Sequence, residues 1–332
     1  MSISFDLFRL NAILEMSGIK NEENCFTFTW ALENASYCLQ KKVEKIESPA
    51  FVVDEVHKTK WKLWLYPRGA RNGNYIGFYL NRERDSIGED SVEIKYELSF
   101  IGKFVLNLTT HGLTRSAFLK SGCYGYDEFK KREDVFILKR PTFLPRDTLI
   151  VRCRIWKVEE DMKKDVRCFA RTRIGVEKRS FVWKLENFSD LEPEKECTYM
   201  IKSLNNDNKM MSVNLSLTGG QNCEELIRFK LTRYDPNIKY CALRLFLVDT
   251  GGRKVECNQD EFWFDKLNDT QRFTFLFSRQ KLMLKKSLYL PDDILSLHCE
   301  WAFSKGLVYE EIEEVQCGYT APQLKLPMLK NE

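Results

Sequence analysis

Phe28-Thr29-Trp30-Ala31-Leu32-Glu33-Asn34-Ala35-Ser36 recurs as Phe181-Val182-Trp183-Lys184-Leu185-Glu186-Asn187-Phe188-Ser189, identical at six of nine positions. In both copies an apolar residue stands at every second place up to the leucine, the period of a strand with one buried face. A second landmark follows each first one. Phe143-Leu144-Pro145-Arg146-Asp147-Thr148-Leu149 is echoed by Tyr289-Leu290-Pro291-Asp292-Asp293-Ile294-Leu295. Two landmarks in the same order at nearly the same separation indicate a duplicated domain. A solenoid would repeat at a far shorter period.

Short alternating segments fill the first copy: Trp61–Leu65, Tyr75–Leu80, Val92–Ile101, Phe104–Leu108 and Leu149–Trp156. Turn residues separate them, as in Pro67-Arg68-Gly69 and Asn72-Gly73-Asn74. The pattern allows one helical turn at Asp127–Arg132 and no long amphipathic helix. It predicts an all-β chain of two tandem antiparallel β-sandwiches. The expected boundaries are an N-terminal extension over 1–21, a first domain over 22–160 and a charged linker over 161–178. A second domain over 179–303 and a tail over 304–332 follow. A piece covering 22–160 is expected to fold alone, because each copy carries its own opening and closing strands.

Composition narrows the function classes. The chain of 332 residues is 43% hydrophobic and 30% charged, with a net charge of +4. Charges of mixed sign give no basic face for nucleic acid. The basic run Arg167–Arg179 reads as solvated linker and the acidic run Glu310–Glu314 as part of the tail. No stretch has the length of a signal peptide core or a membrane span, so the expectation is an intracellular chain, cytoplasmic or nuclear. The eleven cysteines are odd in number and never spaced Cys-x-x-Cys, which argues against a disulfide framework and a zinc site. Cys153 and Cys299 lie within strand patterns, where a thiol acts as a small hydrophobe.

The landmarks resemble those of the MATH domain, the meprin and tumour-necrosis-factor-receptor-associated-factor homology fold. That family opens with an aromatic-x-Trp-x-Leu-x-Asn strand and closes with an aromatic-Leu-Pro-x-Asp-x-Leu turn and strand. Here Phe28, Trp30, Leu32 and Asn34 go with Leu144, Pro145, Asp147, Leu149 and Cys153. The second set is Phe181, Trp183, Leu185 and Asn187 with Leu290, Pro291, Asp293, Leu295 and Cys299. The first half resembles the MATH domain of speckle-type POZ proteins, and the tandem order resembles TD and POZ domain proteins of arachnids. The resemblance implies a substrate-recognition module for cullin-3 ubiquitin ligases, holding short Ser/Thr-rich degron peptides for proteasomal degradation. In such proteins a BTB/POZ domain binds the cullin. The sequence given stops at Glu332 without one, so direct cullin-3 binding is not expected and BTB-containing relatives are the implied partners.

The same resemblance implies the peptide-binding residues: Tyr79, Tyr96, Tyr124, Gly125 and Tyr126. The family's charged pair falls on Gly122 and Cys123, and a further family tyrosine on Ser116. Aromatic platforms with hydroxyls suit an extended peptide beside a sheet, and a glycine permits close backbone approach or positive φ. In the second copy the matching positions read Lys230, Leu243 and Arg272-Phe273-Thr274, so that copy is expected to be structural or differently specific. No catalytic residue, metal or cofactor is expected. The three histidines, His57, His111 and His298, lack ligand spacing, and nucleophile-elbow and phosphate-loop motifs are absent. Two other readings stay open: a decoy that holds substrates without delivering them, and a glycan-binding β-sandwich or hydrolase, which would expose tryptophans on a flat face.

Overall fold

The computed structural model describes residues 24–102, 106–159, 162–193, 195–204, 206–218, 225–266 and 268–318. The extension over 1–21, the opening of the strand expected at Phe104–Leu108 and the end of the tail lie outside the described residues. The chain is all-β and divides into two compact units. Among described residues the first takes 24–36, 40–173 and 307–318, and the second takes 37–39 and 174–306.

The first unit is built from β1 (Phe26–Glu33), β2 (Ile46–Glu47), β3 (Phe51–Val53), β4 (Thr59–Tyr66), β5 (Tyr75–Arg82), β6 (Ser91–Ile101), β7 (Asn107–Leu119), β8 (Cys123–Lys131), β9 (Thr148–Lys157) and the start of β10 (Asp165–Leu185). One sheet runs β10-β1-β9-β6-β7. The other runs β2-β4-β5-β8, with β3 beside β4. Phe26, Phe28, Trp30 and Leu32 of β1 point inward and are buried. Phe28 stacks on Phe51 of the facing sheet with ring centroids 4.0 Å apart. Burying an aromatic ring of this kind stabilises by about 1.5–3 kcal/mol.

Asp127–Arg132, where one helical turn was allowed, holds the end of β8. The helical segments come just after it, at Asp134–Leu138 and Arg140–Phe143. A buried Phe129 between half-buried and exposed neighbours holds that stretch to the strand period.

The segment read as a charged linker is also a strand. β10 runs parallel to β1 from Phe26↔Val166 to Glu33↔Arg173. Arginines conceal its alternation: Arg167, Arg171 and Arg173 lie on the outer side, while Cys168, Ala170 and Thr172 face the core. Trp30, 0% exposed, donates its indole Nε1–H to Thr172 Oγ1 at 2.9 Å. Arg171 meets Glu33 at 3.0 Å and Glu313 at 2.9 Å, and Arg173 also pairs with Glu33. Glu313 comes from the stretch read as tail, whose described part is strand. The Arg171–Glu313 pair thus joins the basic and acidic runs as neighbours in a fold.

The second unit uses the rest of β10 with β11 (Cys197–Lys202), β12 (Lys209–Leu217), β13 (Ile227–Arg233), β14 (Tyr240–Val248), β15 (Lys254–Trp263), β16 (Thr270–Thr274) and β17 (Leu295–Gly318) to residue 306. One sheet is β15-β14-β17-β10 and the other β11-β12-β13-β16. Its core gathers Trp183, Phe229, Leu243 and Trp301.

The landmark pairs recur because they touch. Ser36 donates to Asp147 Oδ1 at 2.5 Å, and Ser189 donates to Asp293. Asn34 and Asn187 adopt φ of 58° and 54°, the left-handed region in which asparagine costs least after glycine. Hydrogen bonding from Ser189 and the Lys286 ammonium hold the Asp293 carboxyl down from its ordinary 3.8 to about 2. A depressed carboxyl stabilises above its unfolded value and loses that contribution as pH falls through the folded value. The stability advantage of the native chain over Asp293→Asn is therefore expected to fade between about pH 4 and pH 2. Melting curves of both proteins across that range measure it; a difference constant with pH would contradict the assignment.

Candidate peptide-binding groove

Among the described residues β7 and β8 each end their sheet, so both carry a free edge. The pleat of β8 divides the predicted residues. Leu80↔Tyr124 and Phe78↔Tyr126 place these two tyrosines on the side of buried Phe78 and Leu80. Tyr79↔Gly125 places the other two on the outer face. The five residues therefore do not form one surface.

On the inner side, Tyr124 is 43% exposed and its ring stands edge-to-face with Phe118 at 4.8 Å. Tyr96 meets the same Phe118 at 5.6 Å but is only 2% exposed. It is a floor beneath Phe118 rather than a wall. Burial first, and then the nearby Tyr126, push its phenol pKa up. Tyr126 hydrogen-bonds Thr114 Oγ1 at 2.9 Å and stacks on His111 with centroids 4.1 Å apart. His111 Nε2 lies 3.2 Å from the Phe129 carbonyl. The sequence reading missed Thr114, His111 and Phe118, all on β7. Their signal was the period-two spacing of Thr114, Ser116 and Phe118.

On the outer face, Tyr79 donates its hydroxyl to Asp127, which also pairs with Arg71 at 3.0 Å. Burial and then this hydrogen bond raise the Tyr79 pKa, so the phenol keeps its proton. Tyr66 meets the Tyr79 ring edge-to-face at 5.5 Å. Gly125 is required by space. A Cβ there would sit 2.3 Å from the Phe78 carbonyl oxygen and 2.5 Å from Tyr79 Cα. Its φ is not positive, so close approach is the reason for glycine. Cys123, beside it, has its thiol pushed up to about 12 by burial.

The second unit is out of the register expected for it. Lys230 pairs with Arg272 as Tyr79 pairs with Gly125. Arg272 therefore takes the place of Gly125, Phe273 that of Tyr126 and Gln271 that of Tyr124. An aromatic does survive: Phe273 stacks on Phe229 at 4.7 Å and faces Phe262 at 5.7 Å. Leu243 holds the place of Tyr96, in the core.

His298 lies within hydrogen-bonding distance of a serine. Ser180 Oγ, Lys254 Nζ and Glu300 Oε1 all approach the same nitrogen, Nε2, at 3.3, 2.9 and 3.2 Å. A proton relay needs partners on both ring nitrogens. Among the described residues no helix is long and apolar enough to cross a membrane.

Residues 27–155 match the MATH domain family. TD and POZ domain-containing protein 3 of Mus musculus is 26% identical over 133 residues, covering 39% of this chain and 36% of that protein. TD and POZ domain-containing protein 1 of the same organism is 27% identical over 135 residues, with the same shares. The chain thus spans 36% of the length of these relatives, in their shared MATH region. Among solved structures, Notothenia coriiceps TRAF5 aligns with a TM-score of 0.31 and 13% identity, covering 48% of this chain and 84% of that one. Over residues 27–155 the match supports a protein-interaction domain.

Proposed function

We propose that the first unit binds an extended, Ser/Thr-rich peptide along the free edge of β7, with Tyr124 and Tyr126 of β8 as the opposite wall. The reading rests on one observation: half-exposed Tyr124 and Tyr126 stand with Phe118 and Thr114 beside an unpaired strand edge. An added strand gains main-chain hydrogen bonds from such an edge, and side-chain pockets give selectivity. An apolar peptide residue would rest on the Tyr124 ring, which the buried Phe118 backs. Following serine or threonine hydroxyls would meet Ser116, Thr114 and the Tyr126 phenol. Tyr96 then acts from beneath, and Tyr79 with Gly125 shapes β8 from its other face. Together with a POZ-bearing partner, such a groove would select degrons for a cullin-3 ubiquitin ligase.

Two substitutions test the groove. Tyr124→Ala removes an exposed ring and is expected to shift stability by no more than about 0.5 kcal/mol. It should weaken binding of an apolar-Ser-Thr-Ser peptide by roughly 5- to 150-fold, the range for losing an interface ring. Tyr126→Phe keeps the ring and removes the phenol that would meet a peptide hydroxyl, for an expected loss of about 0.5–1.5 kcal/mol of affinity. Fluorescence anisotropy with a labelled peptide and melting curves give both readouts. Stable variants that bind as the native chain does would remove the groove assignment.

A further inference from the structure

The outer face of the four-stranded sheet in the second unit carries a chemistry that the first unit lacks. Thr198, Asn214, Lys230 and Arg272 form one row across β11, β12, β13 and β16. Arg228 lies in the next row on the same face, opposite Thr274. Lys230 and Arg272 are direct cross-strand partners. Like charges so placed, with Cβ atoms about 5 Å apart, destabilise a sheet unless something lies between them. The carboxylate at this face is Glu196, 3.8 Å from Lys230 and itself hydrogen-bonded by Asn214 Nδ2 at 2.5 Å. Among the described residues of these rows, three cations thus face one carboxylate. Asn214 Oδ1 is buried and accepts no hydrogen bond from the described residues.

In the first unit the same row reads Glu47, Trp64, Tyr79 and Gly125, with Asp127 where the second has Thr274. The first face is aromatic, with its carboxylates Glu47 and Asp127 paired to Lys45, Lys62 and Arg71; the second is cationic and lined by hydroxyls.

We propose that this face of the second unit is a binding site for an acidic or phosphorylated extended peptide, its anionic group held between Lys230 and Arg272 with Arg228 alongside. The guanidinium offers a forked donor pair to a phosphate or carboxylate, and the ammonium adds a point charge. The chemistry favours peptide over nucleic acid. Single strands bind through bases stacked on aromatic rings beside a long cationic track, and this face offers three cations and hydroxyls instead. The site stands independently of the β7–β8 groove.

The test uses the full chain and a fluorescein-labelled Gly-Ser dodecapeptide with two central phosphoserines, against its unphosphorylated counterpart. Anisotropy is expected to show at least about tenfold tighter binding of the phosphorylated peptide, weakening as salt rises. Arg272→Glu should abolish that preference and Lys230→Gln should reduce it, with melting temperatures near that of the native chain because both side chains are substantially exposed. Tyr124→Ala should leave phosphopeptide binding unchanged, which separates this site from the groove of the first unit. Equal affinity for the two peptides, or a preference that survives Arg272→Glu, would overturn the proposal. So would tighter binding of a single-stranded oligonucleotide than of the phosphopeptide.

Discussion

Arg82→Met should lower the melting temperature of the first unit by roughly 10 °C, from a loss of about 3–5 kcal/mol. Arg82 is 0% exposed. Its Nη1 donates to the carbonyls of Phe118 at 2.9 Å and Asp90 at 3.1 Å, and its Nη2 to that of Glu89 at 2.5 Å. Burial lowers its pKa, yet a guanidinium stays charged in any protein. Methionine keeps the apolar stem and removes the guanidinium from three carbonyls, of which that of Asp90 keeps the Lys120 N–H at 3.2 Å; a buried carbonyl left without a donor costs about 1–3 kcal/mol. Lysine should not rescue, because a single ammonium cannot span the fork. Phe118 supports both Tyr124 and Tyr96, so peptide affinity should fall with stability. Calorimetry and anisotropy on one preparation decide it. A stability change under about 1 kcal/mol would mean that water takes over the carbonyls.

Thr172→Val is expected to cost about 1–3 kcal/mol although shape is conserved, because it strands the indole donor of a fully buried Trp30. The larger version is truncation. A piece ending at 160 loses Thr172, the parallel pairing along β1 and the burial of Phe169, together at least about 4 kcal/mol. The domain read from the sequence as 22–160 should therefore melt well below a piece ending at 178. Equal melting of the two would show that β1 needs no neighbour on that side. Valine at 172 with unchanged stability would show that Trp30 finds another acceptor.

What was legible follows from period and spacing. The β1 alternation and the two landmarks pointed to strands and duplication, and the landmarks turn out to be hydrogen-bonded through Ser36–Asp147 and Ser189–Asp293. β10 was hidden because Arg171 and Arg173 face a carboxylate, Glu33, that no local pattern reveals. Arg82 and its counterpart Arg233, 2% exposed, each follow Leu-x in both copies, yet an arginine at a strand end reads as surface charge. The tyrosines were picked out by residue type, but side-chain direction depends on register. One residue of pleat puts Tyr79 and Tyr124 on opposite faces, and one residue of misalignment hid Phe273 behind Arg272.

The bond from Trp30 to Thr172 spans 142 residues of chain. At about 5–20 residues per second, a ribosome makes β1 roughly 7–28 s before it makes the strand that completes β1. Throughout that interval Phe28 and Trp30 have no finished sheet to enter, and the nascent chain presents them to whatever else is near. Long-range pairing of this kind also slows refolding. Expression of the first unit should thus depend on chaperones that hold apolar strands during synthesis, more than its final stability would suggest.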